Sequence, residues 1–371
     1  MSLMVPGDSA STDSTVAPSD ARPLSPWDRA NTSASTTLGE KFSLNPVMHL
    51  GKPGDVDAEQ AEYPSILFGD NVVWMFYSGY GAVRHRWEIA GATSVDGIHW
   101  TKLGGIFPPG DGQAWDASSV AFPCVLHSNA APNGERFRMW YAGKRAALYE
   151  GIGYATSADG KQWIRQGQVL ALGRSGEWDA GQLADPAVIP VQDGYRMYYC
   201  GSESSRELFD VGLAFSADGR SWTKHSGNPI VSVVGTDRQE FHTFDMMRDA
   251  DAGLARRGPT HDGIYTVDVV ILDGEYFLFV GVPNAARELE IQVLHSPDGI
   301  AFSPGERRLV LAPSHDRTWD SAMVYGMEVL AVGDQIYLWF NGIYERDVPK
   351  GGEIGIARIP IAELQRLFQK Q

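Results

Sequence analysis

The chain has 371 residues, 43% of them hydrophobic and 11% aromatic, enough to bury the core of one large β domain or two ordinary ones. Thirty-one basic residues against 46 acidic ones leave a formal charge of −15, which repels nucleic acid and anionic membrane surfaces. No run of 18 apolar residues is present to cross a bilayer, and 41 glycines among many aromatics suit short strands joined by tight turns.

Residues 1–41 are rich in Ser, Thr, Ala, Pro and Asp and are expected to form a loose arm; they lack the basic start and apolar stretch of a secretory signal. Residues 42–371 are expected to form a single domain. Cys124 and Cys200 lie in separate apolar runs and read as buried free thiols, which fits a cytoplasmic location.

From residue 63 onward one pattern recurs: an apolar strand, a turn with Gly or Asp, then an aromatic strand ending near Gly. The copies are "YPSILFGDNVVWMFYSG" from 63, "FPCVLHSNAAPNGERFRMWYAG" from 122, "DPAVIPVQDGYRMYYCG" from 185, "VDVVILDGEYFLFVG" from 267 and "GMEVLAVGDQIYLWFNG" from 326. After the first four comes a third strand and a Ser-x-Asp-Gly hairpin, starting at Ser94, Ser157, Ser216 and Ser296 and spaced roughly one propeller blade apart. Asp-Gly is read as a two-residue turn with positive φ, and Trp100, Trp163, Trp222 and Phe302 as plugs between sheets. The pattern predicts an all-β, five-bladed propeller with four-stranded antiparallel blades.

The fifth copy is followed by "EIGIARI" and then "IAELQRLF", whose Ile361, Leu364, Leu367 and Phe368 suit a short C-terminal helix. Its outer strand is missing. The segment "LNPVMHL" at 44–50 resembles the outer segment "GNPIVSV" of blade three, so residues 42–50 are expected to complete the last blade and close the ring. An insertion at about 235–263 separates blades three and four and is a candidate lid or binding loop.

Strand direction places the starts of the inner strands on the same rim as the loops between second and third strands. Those loops hold Arg84, Arg86, Lys144, Arg145, Arg206, Arg287 and Arg346, a ring suited to carboxylates, phosphates or sugar hydroxyls, although Glu88, Glu207, Glu288 and Glu345 offer them ordinary surface pairing. Near the inner-strand starts stand Glu62, Tyr63, Asp185, Tyr265, Asp268 and Glu328. Carboxylates crowded round one cavity resist joint ionisation, so one can act as an acid while another stays charged. Tyr63, Trp87, Trp115, Phe122 and Tyr265 are candidate platforms for sugar faces, and His242 in the insertion is a candidate substrate contact. "AWDASS", "EWDAGQ" and "TWDSAM" read as a corner device in which Asp116, Asp179 and Asp320 bond backbone N–H groups. No metal-ligand spacing is present, so no metal and no cofactor is expected, and an ion in the axial channel stays unassigned.

With the blade count, the closing strand, the DG-x-x-W hairpins and "ADPAVIP" at 184–190, residues 42–360 resemble the five-bladed propellers of the arabinanase, levansucrase and invertase superfamily, glycoside hydrolase families 43 and 32. That resemblance implies a carboxylate trio opening three inner strands. Asp185 matches the Asp-Pro element, whose Asp stabilises the transition state. Tyr63 stands where the first Asp belongs, with Glu62 one residue earlier, and Tyr265 stands near the place of the acid, with Asp268 three residues on. Because side chains alternate along a strand, Glu62 serves only if a bulge re-aims it. The expectation is a glycosidase-like enzyme acting on a small sugar or glycoside, with Asp185, Glu62 and Asp268 as catalytic candidates. The alternatives are a sugar-binding propeller without catalysis, or a phosphorylase-type or other enzyme on an anionic substrate.

Overall fold

The computed structural model describes residues 37–369, apart from 70, 82, 147, 204–208, 233–262, 316–317 and 345–351. The insertion, with His242, and the rim arginines Arg206 and Arg346 therefore lie outside the described residues.

Five four-stranded antiparallel sheets form a ring. Blade one is β2 (Gln60–Gly69), β3 (Val72–Gly81), β4 (Arg86–Ser94) and β5 (Thr101–Phe107); blade two is β6 (Ser119–His127), β7 (Phe137–Lys144), β8 (Gly151–Ser157) and β9 (Trp163–Ala171). Blade three is β10 (Gln182–Val191), β11 (Gly194–Ser202), β12 (Asp210–Ser216) and β13 (Thr223–Lys224); blade four is β14 (Thr266–Leu272), β15 (Glu275–Pro283), β16 (Leu289–Ser296) and β17 (Arg308–Leu311). Blade five is β18 (Met323–Val332), β19 (Gln335–Ile343) and β20 (Glu353–Pro360), with β1 (Glu40–Lys41) as its outer strand. The first strand of each blade is innermost and packs against its counterparts in neighbouring blades.

The N-terminal side closes the ring as expected, but the closing strand is Glu40–Lys41, at the end of the expected loose arm, while the 42–50 segment adds a bridge at Met48. Glu40 and Lys41 pair with Arg358 and Ala357, and Met48 bridges Ile354. The resemblance between the two Asn-Pro segments has a physical basis. The Asn45 amide exchanges hydrogen bonds with the backbone of Ile356, as the Asn228 amide does with that of Leu213, so a side chain imitates a strand partner in both blades. The short helix α1 (Ile361–Arg366) then covers the outer face with Leu364 buried.

The Ser-x-Asp-Gly motif is not the expected two-residue turn. Only the glycine has positive φ, 73° at Gly97 and 75° at Gly219, and the loop is wider because Asp side chains close it. Asp218 Oδ1 accepts the N–H groups of Arg220 and Ser221 at 2.8 Å, while Ser216 Oγ accepts that of Gly219. The Ser221 and Arg220 N–H groups pull the Asp218 carboxyl down to about 2. The repeat stitches blades together: Trp140 of blade two donates to Gly219 O in blade three at 2.8 Å, Tyr198 of blade three to Gly299 O in blade four at 2.8 Å, and Trp339 of blade five to Gly97 O in blade one at 3.2 Å.

The Trp-Asp motif is a second repeated clamp, and its partners differ from the expected backbone groups. Asp116 accepts from Tyr141 Oη at 2.9 Å and Arg165 Nε at 3.0 Å; Asp179 accepts from Tyr199 Oη at 3.1 Å and Lys224 Nζ at 2.6 Å. Asp320 binds Lys41 Nζ at 2.5 Å, so the closing strand supplies a cation to blade five as β5, β9 and β13 do to blades one to three. Blade one holds a fourth copy, Asp57 with Tyr77 and Lys102, which the motif conceals because Val56 replaces the tryptophan. Asp179→Ala strands a buried tyrosine hydroxyl and a half-buried lysine, and is expected to lower stability by about 2 kcal/mol in urea unfolding without changing the m-value.

Candidate active site

Four inner strands break register at the same place. The interruptions fall between Glu62 and Ser65, Ala121 and Cys124, Ala184 and Ala187, and Tyr325 and Glu328. Each holds a residue in the left-handed region: Tyr63 (φ 53°), Phe122 (φ 54°), Asp185 (φ 51°) and Gly326 (φ 51°). In three of them a proline follows. Positive φ is unfavourable for aromatic residues and persists only when surroundings enforce it. Here Asn341 Oδ1 of blade five accepts the Tyr63 N–H at 2.7 Å, and Ser78 Oγ of blade one accepts the Phe122 N–H at 2.9 Å. Blade four pairs without interruption from Thr266 to Leu272.

Just past the bulge, side chains link the inner strands around the axis. Ser65 Oγ accepts the Val125 N–H at 3.0 Å, Cys124 Sγ the Val188 N–H at 3.2 Å, and Asp268 Oδ2 the Val329 N–H at 2.6 Å. The Glu328 carboxylate accepts the Ile66 N–H, completing the step from blade five to blade one. Blade three has Ala187 at this register and cannot take part. Asp185, two residues earlier, substitutes by accepting the Val267 N–H at 2.8 Å.

Asp185, Asp268 and Glu328 thus converge on one axial cup and influence one another electrostatically. Burial pushes the Asp185 carboxyl up to about 7, against the pull of Thr266 and the Val267 N–H. Burial also raises Asp268 to about 8, with the charge of Asp185 adding to it, and lifts Glu328 well above the usual carboxylate range, with Asp268 adding. Both oxygens of Asp268 accept backbone N–H groups, from Val269 at 2.7 Å and Val329 at 2.6 Å. Asp185 is half-buried, with Oδ2 on Val267, and is the more available of the two to a bound molecule.

The other candidates divide. Tyr63 lies in the cup, where burial, Glu62, Tyr325 and Asp185 hold its hydroxyl well above the ordinary tyrosine range. The Glu62 carboxyl sits beside Tyr63 and packs against Gly352 at the mouth of blade five. The Tyr63 ring meets Phe122 at 4.3 Å and Tyr325 at 5.8 Å, and Phe122 meets Tyr149 at 5.2 Å. Tyr63, Phe122 and Tyr265 belong to one apolar cluster and are 4–6% exposed, so they serve as packing rather than as open platforms for sugar faces. Lys144 is buried over the Tyr149 ring. Arg84 and Arg86 both bind Glu88, and Arg145 stands 3.6 Å from Glu150, so these arginines are occupied by their own loops. Arg287 lies in a tight turn, its N–H on Asn284 O. Trp115 stacks on Tyr141 and against Gly143 and Gly153 inside blade two, away from the cup.

Sequence reasoning missed Cys124, Tyr149, Tyr325 and Asn341 as members of the cup or its supports. Cys124 and Glu328 occupy the same register position as Ser65, but a ring made from Ser, Cys, Asp and Glu has no common chemistry to reveal it.

No protein-family model matches the sequence. Two proteins of Mycobacterium tuberculosis, both described as uncharacterized, are similar over part of the chain: MT1551 of strain CDC 1551 is 29% identical over 201 residues, 51% of this chain and 62% of its own length. Rv1502 of strain H37Rv is 28% identical over 187 residues, 48% of this chain and 58% of its own length, so the matches span about three fifths of these curated relatives. Among solved structures, a protein described as BT0996 in an RGII complex superposes with TM-score 0.61 at 16% identity, covering 87% of this chain and 90% of that protein. The family 117 glycoside hydrolase Zg3597 of Zobellia galactanivorans gives 0.59 at 16% identity, over 84% and 86% of the two proteins. A member of family GH130, described as mannoside phosphorylases containing glycoside hydrolases that target β-1,2 mannosidic linkages in Candida mannan, gives 0.58 at 16% identity, over 88% and 95%. The chain has the five-bladed propeller fold in which these glycoside hydrolases are built.

Proposed function

We propose that the protein is a carbohydrate-active enzyme that cleaves the glycosidic bond of a small sugar or glycoside in the axial cup. The observation that carries this reading is the convergence of Asp185, Asp268 and Glu328 on the axis, each raised by burial above the usual carboxylate range. Glycoside cleavage needs one carboxylic acid and one carboxylate on either side of the bond. In this reading Asp185 is the acid, since a group titrating at about 7 both holds and releases its proton near neutral pH. Burial raises it there, outweighing the pull of Thr266 and the Val267 N–H. Glu62, beside Tyr63, is the candidate base. The reaction calls for no cofactor.

Two supports come from other proteins: the solved propellers of this shape include glycoside hydrolases, and a family described as holding both phosphorylases and hydrolases. Hydrolysis of nitrophenyl glycosides and plant oligosaccharides by wild type and Asp185→Asn tests the reading. Equal background rates from both would remove it. A second reading, a sugar-binding propeller without turnover, draws on Tyr63, an aromatic residue at the blade-one counterpart of Asp185. Calorimetry giving saturable sugar binding with no product would favour it.

A further inference from the structure

We propose that Thr266 is the positioning residue of the acid, its hydroxyl donating a hydrogen bond to the Asp185 carboxylate once the proton has left. The inference rests on the glycoside reading and deepens the part that Asp185 plays in it. Each of the five inner strands sets one fully buried residue opposite a glycine of the second strand: Ala61 on Gly79, Val120 on Gly143, Leu183 on Gly201, Thr266 on Gly281 and Val324 on Gly342. Four of these five residues are apolar, so the position serves packing and the fold does not call for a hydroxyl there. Among the five, only blade four carries one, and blade four is the neighbour on which Asp185 rests.

The local geometry brings the two side chains together. Asp185 Oδ2 accepts the Val267 N–H at 2.8 Å, which sets the carboxyl beside the residue next to Thr266. The Thr266 methyl is turned to the bare backbone of Gly281, where an added Cβ would stand 2.4 Å from Cγ2, so the hydroxyl faces elsewhere. That hydroxyl is buried with no hydrogen-bond partner among the described residues, yet it lies close enough to Asp185 to draw its titration downward. A charged carboxylate is a stronger acceptor than a neutral acid, so ionisation of Asp185 closes the contact. In the reaction the Asp185 proton passes to the leaving glycosidic oxygen, Thr266 keeps its own proton, and the hydroxyl stabilises the charge that develops on Asp185. The titratable groups that face Asp185 are Tyr63, Cys124, Cys200, Asp268 and Glu328. Thr266 carries no charge, so replacing it leaves all of them in place and isolates a single hydrogen bond.

Carbon NMR of the Asp185 carboxyl across a pH titration would compare wild type with Thr266→Val, Thr266→Ser and Thr266→Ala. Valine keeps the methyl on Gly281 and matches Val120 and Val324 of blades two and five. Serine and alanine both lack that methyl and differ only in the hydroxyl. The expected result is an Asp185 midpoint about one pH unit higher in the valine and alanine variants and unchanged in the serine variant. The alkaline limb of nitrophenyl glycoside hydrolysis follows the midpoint upward in Thr266→Val, and the plateau falls about 3- to 10-fold because the acid is weaker. A midpoint that Thr266→Val leaves in place would overturn the inference, as would a serine variant that shifts as far as the alanine one, since packing would then be the cause. A midpoint that moves as expected while neither wild type nor any variant cleaves a glycoside would uphold the hydrogen bond and remove the glycoside reading.

Discussion

Asp185→Asn lowers turnover of the best glycoside substrate by about 10²- to 10⁴-fold, the span that loss of a positioned proton donor produces. The asparagine keeps an oxygen for the Val267 N–H, which Asp185 holds at 2.8 Å, so the link between blades three and four survives and the variant folds. If Asp185 is the proposed acid, with its carboxyl raised to about 7, wild-type activity is expected to fall as pH rises through 7, and that alkaline limb to be absent from the residual activity of the variant. Steady-state rates from pH 5 to 9 check both statements. A structural role alone would reduce activity without removing the limb.

Stability declines as pH rises from about 4 to about 8, and Asp268 accounts for a large part of the decline. An unfolded aspartate titrates near 3.8, whereas in the native chain burial moves Asp268 to about 8. Between those values the native state holds a proton that the unfolded state has released, so each step upward in pH favours unfolding. The contribution is complete below pH 4 and lost above pH 8, and its full size is on the order of 5 kcal/mol. Asp268→Asn turns an amide nitrogen toward one of the N–H groups of Val269 and Val329, costing about 1–3 kcal/mol at every pH. The same change removes the charging step. Urea unfolding should therefore find the variant less stable than wild type at pH 5 and more stable at pH 9.

The blade count, the closing strand and the C-terminal helix were legible because each rests on a repeated local signal: alternation, Asp-Gly before an aromatic plug, and the two Asn-Pro segments. The width of the hairpin loops was not, since Asp-Gly serves a two-residue turn and a wider side-chain-closed loop equally well. At the site, Asp-Pro drew attention to Asp185, and the blade repeat set it level with Tyr63 and Phe122; what the sequence hid is that all three sit in a register break at positive φ. Glu62 depended on a bulge that a sequence cannot place; the bulge begins immediately after it. Arg84, Arg86 and Arg145 failed to gather because each pairs with a glutamate close to it in the chain.

The proposed catalysis depends on an Asp185 carboxyl that burial raises to about 7, so that it exchanges its proton close to neutral pH. Carbon NMR of aspartate side-chain carboxyls, assigned by the signal lost in Asp185→Asn, measures this directly. The expected midpoint for Asp185 is near 7. A midpoint near 4, with the signal insensitive to Asp268→Asn, would contradict it.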